Sequence, residues 1–384
     1  MPHDTPQGAH WVGTWTAAPA PAEGVAFANQ TFRMNAHVSL GGERLRVRLS
    51  NAHGNKKLFI GAARVGLRDK GPAIVPGSDR ALAFGGKPST WIAAGSFVVS
   101  DPVALEFPPL SDLAITFHIP GEVSAAAGVT GRYARQTNYV SPPGDFTRAV
   151  DMPVGNITGD WYFVCGVDAA APPEAGGIVA LGDSLTDANI STIDAHCRWP
   201  DQLARRLVAR GGRPFAVMNQ GLGGNRILHD IRGDSGLKRF DRDVLAQPGV
   251  SHAIVMLGTN DIRNRWAKPD EEATADEMIA GLHQMALRAH ARGIKIFGAT
   301  LTGFENETFL PGAWTPAREA VRQAVNRWIR EGGAFDAVVD FDAALRDPEH
   351  PLSMLPAYDC GDHLHPSDLG YTKMGDCIDL SLFE

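Results

Sequence analysis

From about Val12 to Val167 the apolar residues come in short runs separated by turn formers, as in HVSLGG, RLRVRLSNAHGN, LFIGAARVGL, FVVSDPVALEF and DLAITFHIPG. Within one run Leu45, Val47 and Leu49 alternate with Arg46, Arg48 and Ser50. Such a period of two belongs to a strand with one face on a core and the other toward water. Gly-Gly, His-Gly-Asn and Pro-Gly break the runs at the intervals of an antiparallel sheet protein. The pattern predicts an all-β sandwich domain over residues 1–168.

After the seam Asp168–Gly177 (DAAAPPEAGG) the period changes. Short, continuously apolar segments now alternate with long amphipathic ones. The apolar segments are IVAL from Ile178, FAVMN from Phe215, AIVML from Ala253, IKIFGAT from Ile294 and AVVDF from Ala337. Between them lie WPDQLARRLVAR, LKRFDRDVLA, DEEATADEMIAGLHQMALRAHARG and TPAREAVRQAVNRWIREGG, helical by apolar spacing and by their Gly and Pro stops. Apolar strands alternating with helices require a parallel sheet covered on both faces. Residues 169–384 are therefore expected to form an α/β domain of about five parallel strands, with its chemistry in the loops that follow the strands.

A length of 384 residues suits two domains, and 44% hydrophobic with 21% charged residues is a globular composition. The net charge of −7 is spread without basic runs, which argues against nucleic acid or anionic lipid as a partner. No apolar run approaches the roughly 18 to 20 residues of a membrane span. The start Met-Pro-His-Asp-Thr-Pro lacks a charged segment followed by an apolar one, so the chain as written reads as cytoplasmic. A mature domain whose signal peptide had been removed would read the same way, which leaves a secreted or periplasmic location open. Four cysteines (Cys165, Cys197, Cys360, Cys377) make no disulfide scaffold and no zinc motif. Reduced thiols are expected, and spacing alone does not decide whether Cys360 and Cys377 pair.

The strand ends carry the candidate chemistry. The first leads into Gly182-Asp183-Ser184-Leu185, placing a serine on a Gly-led turn, a sequence that by itself is far more often that of a capping Ser. The second leads into Asn219–Asn225, rich enough in glycine to aim bare N–H groups at an anion or simply to turn tightly. The third ends in Gly258-Thr259-Asn260-Asp261, offering a side-chain amide. Asp362-His363-Leu364-His365-Pro366 then places a carboxylate and an imidazole three residues apart before the last helix. A turn lets residues three apart face each other, which favours His365 over His363 as the partner of Asp362. The rival reading makes Asp362, His363 and His365 metal ligands, but it lacks further ligands and leaves the Ser184 turn unexplained.

Taken in order, these segments resemble the SGNH hydrolases, also called the GDSL family of esterases and lipases, over roughly residues 175–384. Gly182-Asp183-Ser184-Leu185, Gly224, Gly258-Thr259-Asn260-Asp261 and Asp362-x-x-His365-Pro366 correspond to its four blocks. The start of the front half, Gly13-Thr14-Trp15-Thr16-Ala17-Ala18, is similar to a jelly-roll-like sandwich found in a bacterial subgroup. The resemblance implies a flavodoxin-like three-layer α/β/α domain and a serine mechanism that needs no cofactor and no metal. Ser184 would be the nucleophile, His365 its base and Asp362 the orienting acid. The N–H groups of Ser184 and Gly224 and the amide of Asn260 would form the oxyanion hole.

Substrate contacts are expected from Trp266 and Arg263, beside Arg265 after the third strand, and from Trp314 in the long loop after the fourth. The same aromatics would serve equally to cover local core, and Trp199 before Pro200 reads as a helix-start staple. The expected reaction is hydrolysis of a short acyl ester, an acetyl ester by preference, on a small molecule or oligosaccharide. A general carboxylesterase or lipase is the alternative, although no apolar lid or patch is marked in the sequence. Acyl transfer, or an inactive fold that binds carbohydrate, complete the alternatives.

Overall fold

The computed structural model describes residues 9–21, 26–123, 129–130, 134–264 and 268–384. Its two compact units are Met1–Ala175 with Pro214–Met218, and Gly176–Arg213 with Asn219–Glu384.

The strands of the first unit pair antiparallel, apart from Pro214–Met218, which runs in the parallel sheet on which the second unit is built. One sheet joins His10–Thr16, Val164–Ala171, Gly42–Asn51 and Val103–Phe107 in that order, with Ser96–Val99 also paired to Gly42–Asn51. A six-stranded sheet runs Asn156–Thr158, Asn138–Pro143, Phe27–His37, Asp112–Val123, Ala62–Leu67 and Arg80–Ala81. Inward residues of both sheets, among them Leu45, Val47, Leu49, Phe32, Met34, Ile115 and Phe117, share one apolar core. Phe32 stacks on Phe117 at 5.2 Å between ring centroids and meets Phe163 edge-on, the offset and T-shaped contacts that aromatic quadrupoles favour.

The alternation at Leu45, Val47 and Leu49 thus marks a core face, but the opposite face is not simply wet. Arg48 and Ser50 are buried. Arg48 is paired there with Asp168, a fully buried carboxylate opposite Arg46 in the neighbouring strand, with Arg46 Nε at 2.8 Å and Arg48 Nε at 3.1 Å. The strand also continues through Asp168 to Ala171, because those residues pair with His10–Gly13.

The second unit is built on a parallel sheet of Gly176–Gly182, Phe215–Gly221, Val250–Met256, Lys295–Ala299 and Ala337–Val339. Numbered along the chain, their spatial order is 2-1-3-4-5. That order reverses direction between the first and third strands, and the carboxyl-end crevice at such a switch is where doubly wound sheets bind ligands. The first strand is buried along its whole length, which explains its unbroken apolar text. Helices Trp199–Arg210, Ala275–His290 and Pro316–Glu331 fall within three of the amphipathic segments, and Asp368–Cys377 is the helix that follows the Asp362–Pro366 turn. Trp199 is fully buried with its ring 5.3 Å from Phe341, so it serves the core.

Within the segment LKRFDRDVLA the helix Gly236–Phe240 widens into a π-turn over Asp241–Leu245. Among the described residues no helix is long and apolar enough to cross a membrane. All four cysteines are unbridged.

Candidate active site

The first strand delivers Ser184 through a turn that only glycine permits. A Cβ on Gly182 would lie 2.1 Å from Thr186 Oγ1 and 2.7 Å from the Met256 carbonyl oxygen. Asp183 then caps the short helix Ser184–Asp187 by accepting the Leu185 N–H at 3.0 Å. Gly221, leaving the second strand, passes so close that a Cβ would sit 2.2 Å from the Asp187 nitrogen. The strand exits are thus locked against one another by backbone contact.

His365 arrives on a second compact turn. Asp362 accepts the backbone N–H groups of Leu364 and His365 at 2.9 and 2.7 Å, and its other oxygen lies 2.6 Å from His365 Nδ1. His365 Nε2 then lies 2.9 Å from Ser184 Oγ. Burial would raise the Asp362 carboxyl, but the hydrogen bonds and charge of His365 hold it far below the usual carboxylate range. It stays ionised and fixes the imidazole with Nδ1 protonated and Nε2 free to accept.

His363 adopts a left-handed backbone (φ 60°) and turns its ring outward to Asp359 at 2.6 Å. The two imidazoles therefore serve different carboxylates. Among the described residues of this turn, Asp359, Cys360 and Asp362 bring one possible metal-ligand atom each within 4.8 Å of one another. Burial pushes the Cys360 thiol up to about 11, and Asp362 is already engaged by three N–H groups, so the trio is a poor cation site.

Facing Ser184 are hydrogen-bond donors. Gly224 has φ of 80°, a left-handed turn suited to glycine. Its N–H and that of Ser184 meet no acceptor among the described residues. Asn260, buried on the short helix Thr259–Arg263, has its amide nitrogen 3.2 Å from both Asp183 Oδ2 and the Asn225 carbonyl. Such donors can stabilise charge that develops on an acyl oxygen, the Asn260 amide by exchanging one of its two present acceptors for it.

Several contributors escaped the sequence reading. Arg239, fully enclosed, donates to the carbonyls of Gly182 and Gln220 and to Asn225 Oδ1, each at 2.9 Å, and so ties the first two strand exits together. Asp261 accepts the N–H groups of Ile227 and Leu228 at 2.7 and 3.1 Å, joining the third exit to the second. Burial pushes both Asp183 and Asp261 up to about 6. Phe309, 45% exposed, stands edge-on to His365 with ring centroids 5.8 Å apart. A carboxylate directly after the third strand exit was the available signal for Asp261; nothing local marked Arg239 or Phe309.

Of the anticipated substrate contacts, Arg263 is buried and forked onto Glu307, with Nε–Oε1 at 2.8 Å and Nη2–Oε2 at 2.9 Å. It faces Asn260 and the chain interior. Trp314 is half-buried, and its indole N–H has no partner among the described residues. Trp266 and Arg265 lie outside the described residues.

The family model of the GDSL-like Lipase/Acylhydrolase family matches residues 180–373. Similar solved structures include a GDSL-like lipase from Bacteroides thetaiotaomicron, 18% identical over 54% of this chain and 87% of that one, with a TM-score of 0.41. An acetylxylan esterase from Geobacillus stearothermophilus is 22% identical over 53% of this chain and 91% of its own, with a TM-score of 0.40. An α/β hydrolase from the metagenome of Lake Arreo, Spain, is 21% identical over 53% and 92%, with a TM-score of 0.42. No curated protein sequence matches the chain at a significant level.

Proposed function

Because the chain belongs to the GDSL-like lipase/acylhydrolase family, we propose that it cleaves short-chain acyl esters at Ser184 through an acyl-enzyme. The observation that carries this reading is the continuous hydrogen-bonded chain from Ser184 Oγ to His365 Nε2 at 2.9 Å and from His365 Nδ1 to Asp362 at 2.6 Å. His365 takes the Ser184 proton as Oγ attacks the acyl carbon. The carbonyl oxygen becomes an oxyanion facing the N–H groups of Ser184 and Gly224 and the Asn260 amide. Collapse expels the alkoxide, which leaves as an alcohol with the proton from His365. Water, deprotonated by the same imidazole, then releases the acid and restores Ser184.

The preferred substrate is an O-acetylated carbohydrate. The leaving alcohol must sit beside His365 Nε2 to receive its proton, and Phe309 supplies an exposed ring against that imidazole. The exposed face of an aromatic ring there suits the apolar face of a pyranose. A second reading, a carboxylesterase for larger apolar esters, is favoured by the exposed Ile190, Ile193 and Leu369. Their segments are joined by the Thr192 N–H donating to Asp368 at 2.9 Å.

Hydrolysis of p-nitrophenyl acetate, butyrate and octanoate by the wild type and by Ser184→Ala, each with and without EDTA, tests the reading. EDTA-insensitive turnover that disappears in Ser184→Ala supports the serine mechanism. Turnover that persists in the variant, or that EDTA abolishes, removes Ser184 from its role. Faster octanoate than acetate cleavage selects the second substrate class.

A further inference from the structure

Asn260 is asked to present one end of its carboxamide to a developing negative charge, yet a free carboxamide can present either. Its environment leaves one arrangement. The nitrogen faces two acceptors, Asp183 Oδ2 and the Asn225 carbonyl, both at 3.2 Å. The oxygen faces a donor, Arg263 Nη1, also at 3.2 Å. Turned over, the group would set its oxygen against two acceptors and its NH2 against a guanidinium.

Arg263 is held in turn. Its side chain and that of Glu307 are 2% and 0% exposed. The two meet in a fork that fixes the guanidinium plane. Glu307 Oε2 also accepts the Leu310 N–H at 3.2 Å, and the next residue, Thr308, donates its N–H to the Asp362 carbonyl at 2.9 Å. One loop therefore braces both the amide and the turn that carries His365. A buried ion pair is a weak device for stability, since apolar replacement is often neutral or favourable. Its place behind Asn260 calls for another explanation.

We propose that Arg263, braced by Glu307, is a positioning residue that sets the orientation of the Asn260 carboxamide for oxyanion binding. The inference rests on the proposed ester hydrolysis and assigns neither residue a contact with substrate. Losing the brace should cost less than losing the donor itself, whose removal costs about a hundred- to a thousandfold in turnover. A fall in kcat on the order of tenfold is expected, with KM within about twofold.

The test is a double-mutant cycle. Arg263→Met combined with Glu307→Gln removes both charges, so neither is stranded, and thermal melting checks folding. The pair is introduced into the wild type and into Asn260→Ala, and kcat and KM are measured with p-nitrophenyl acetate. The proposal requires the tenfold loss in the first background and almost none in the second. Losses that multiply in both backgrounds, or a raised KM at unchanged kcat, overturn it.

A readout independent of activity accompanies the cycle. The Asn260 side-chain NH2 resonances, identified by their absence in Asn260→Ala, should lose their slow hydrogen exchange in the Arg263→Met/Glu307→Gln variant. If they are unchanged, the positioning role falls whatever the kinetics. Turnover that survives Ser184→Ala would instead overturn the ester-hydrolase reading alone.

Discussion

The antiparallel unit and the α/β unit both bury arginines, and for different ends. In the first, Arg33 donates Nε to Thr116 Oγ1 at 2.9 Å, and its Nη atoms reach the carbonyls of Pro72, Ala149 and Val150. Burial lowers it to about 10, and its partners are loop carbonyls, of which that of Val150 also accepts the Ile74 N–H at 2.9 Å. In the second, Arg239 and Arg263 hold the strand exits and the amide beside Ser184. The desolvation problem is the same in both units. The partners, loop carbonyls in one unit and the strand exits around Ser184 in the other, separate a structural cation from one tied to chemistry, and burial alone does not.

The sharpest way to break this contrast is to remove one group from each unit. His365→Gln should lower turnover by at least about a thousandfold with little change in melting temperature. Arg33→Met should do the reverse, destabilising by about 3 kcal/mol through stranded carbonyls while kcat per folded molecule holds. Denaturant melts beside active-site-titrated kinetics would check both, and a shared pattern of loss would erase the distinction. Next in size, Asn260→Ala is expected to reduce kcat by about a hundred- to a thousandfold at similar KM. Phe309→Ala should raise KM about fivefold for acetylated pyranosides and hardly at all for ethyl acetate, as loss of about 1 kcal/mol of ring contact predicts.

The smallest effect is in pH. Asp183 and Asp261 titrate near 6 in the folded chain, above the ordinary 3.8. Between those values the native state holds protons that the unfolded chain has released. Their contribution to stability is therefore full below about pH 4 and is lost as pH rises through about 6. Asp362 has the opposite sign: its depressed value contributes stability above about pH 4 that is lost on acidification. Urea melts from pH 4 to 7 should show a decline toward neutrality that shrinks in Asp261→Asn. An undiminished slope would assign the decline to other groups.

The sequence exposes what is periodic or contiguous. Continuous apolar strands are legible because both faces are buried, and the segment WPDQLARRLVAR coincides with the helix Trp199–Arg210. Ser184, Gly224, Asn260, Asp362 and His365 could be picked out because each follows a strand or precedes a helix in a recognisable order. Glu307 could not, because its partner Arg263 lies 44 residues away and no period links them. Phe309 matters through a ring contact to a turn more than fifty residues on, in a loop whose text is that of any loop. Arg48 looked solvent-facing because its strand alternates, and only the neighbouring strand supplies the buried Asp168.

The Asp362 turn has a consequence for heat resistance. His365 and Asp362 are held by a short turn whose two N–H bonds to one carboxylate oxygen are local. Opening that turn withdraws His365 from Ser184 while the parallel sheet remains intact. Thermal inactivation can then be reversible and set in below the calorimetric transition, with the amides of Leu364 and His365 exchanging ahead of the strands.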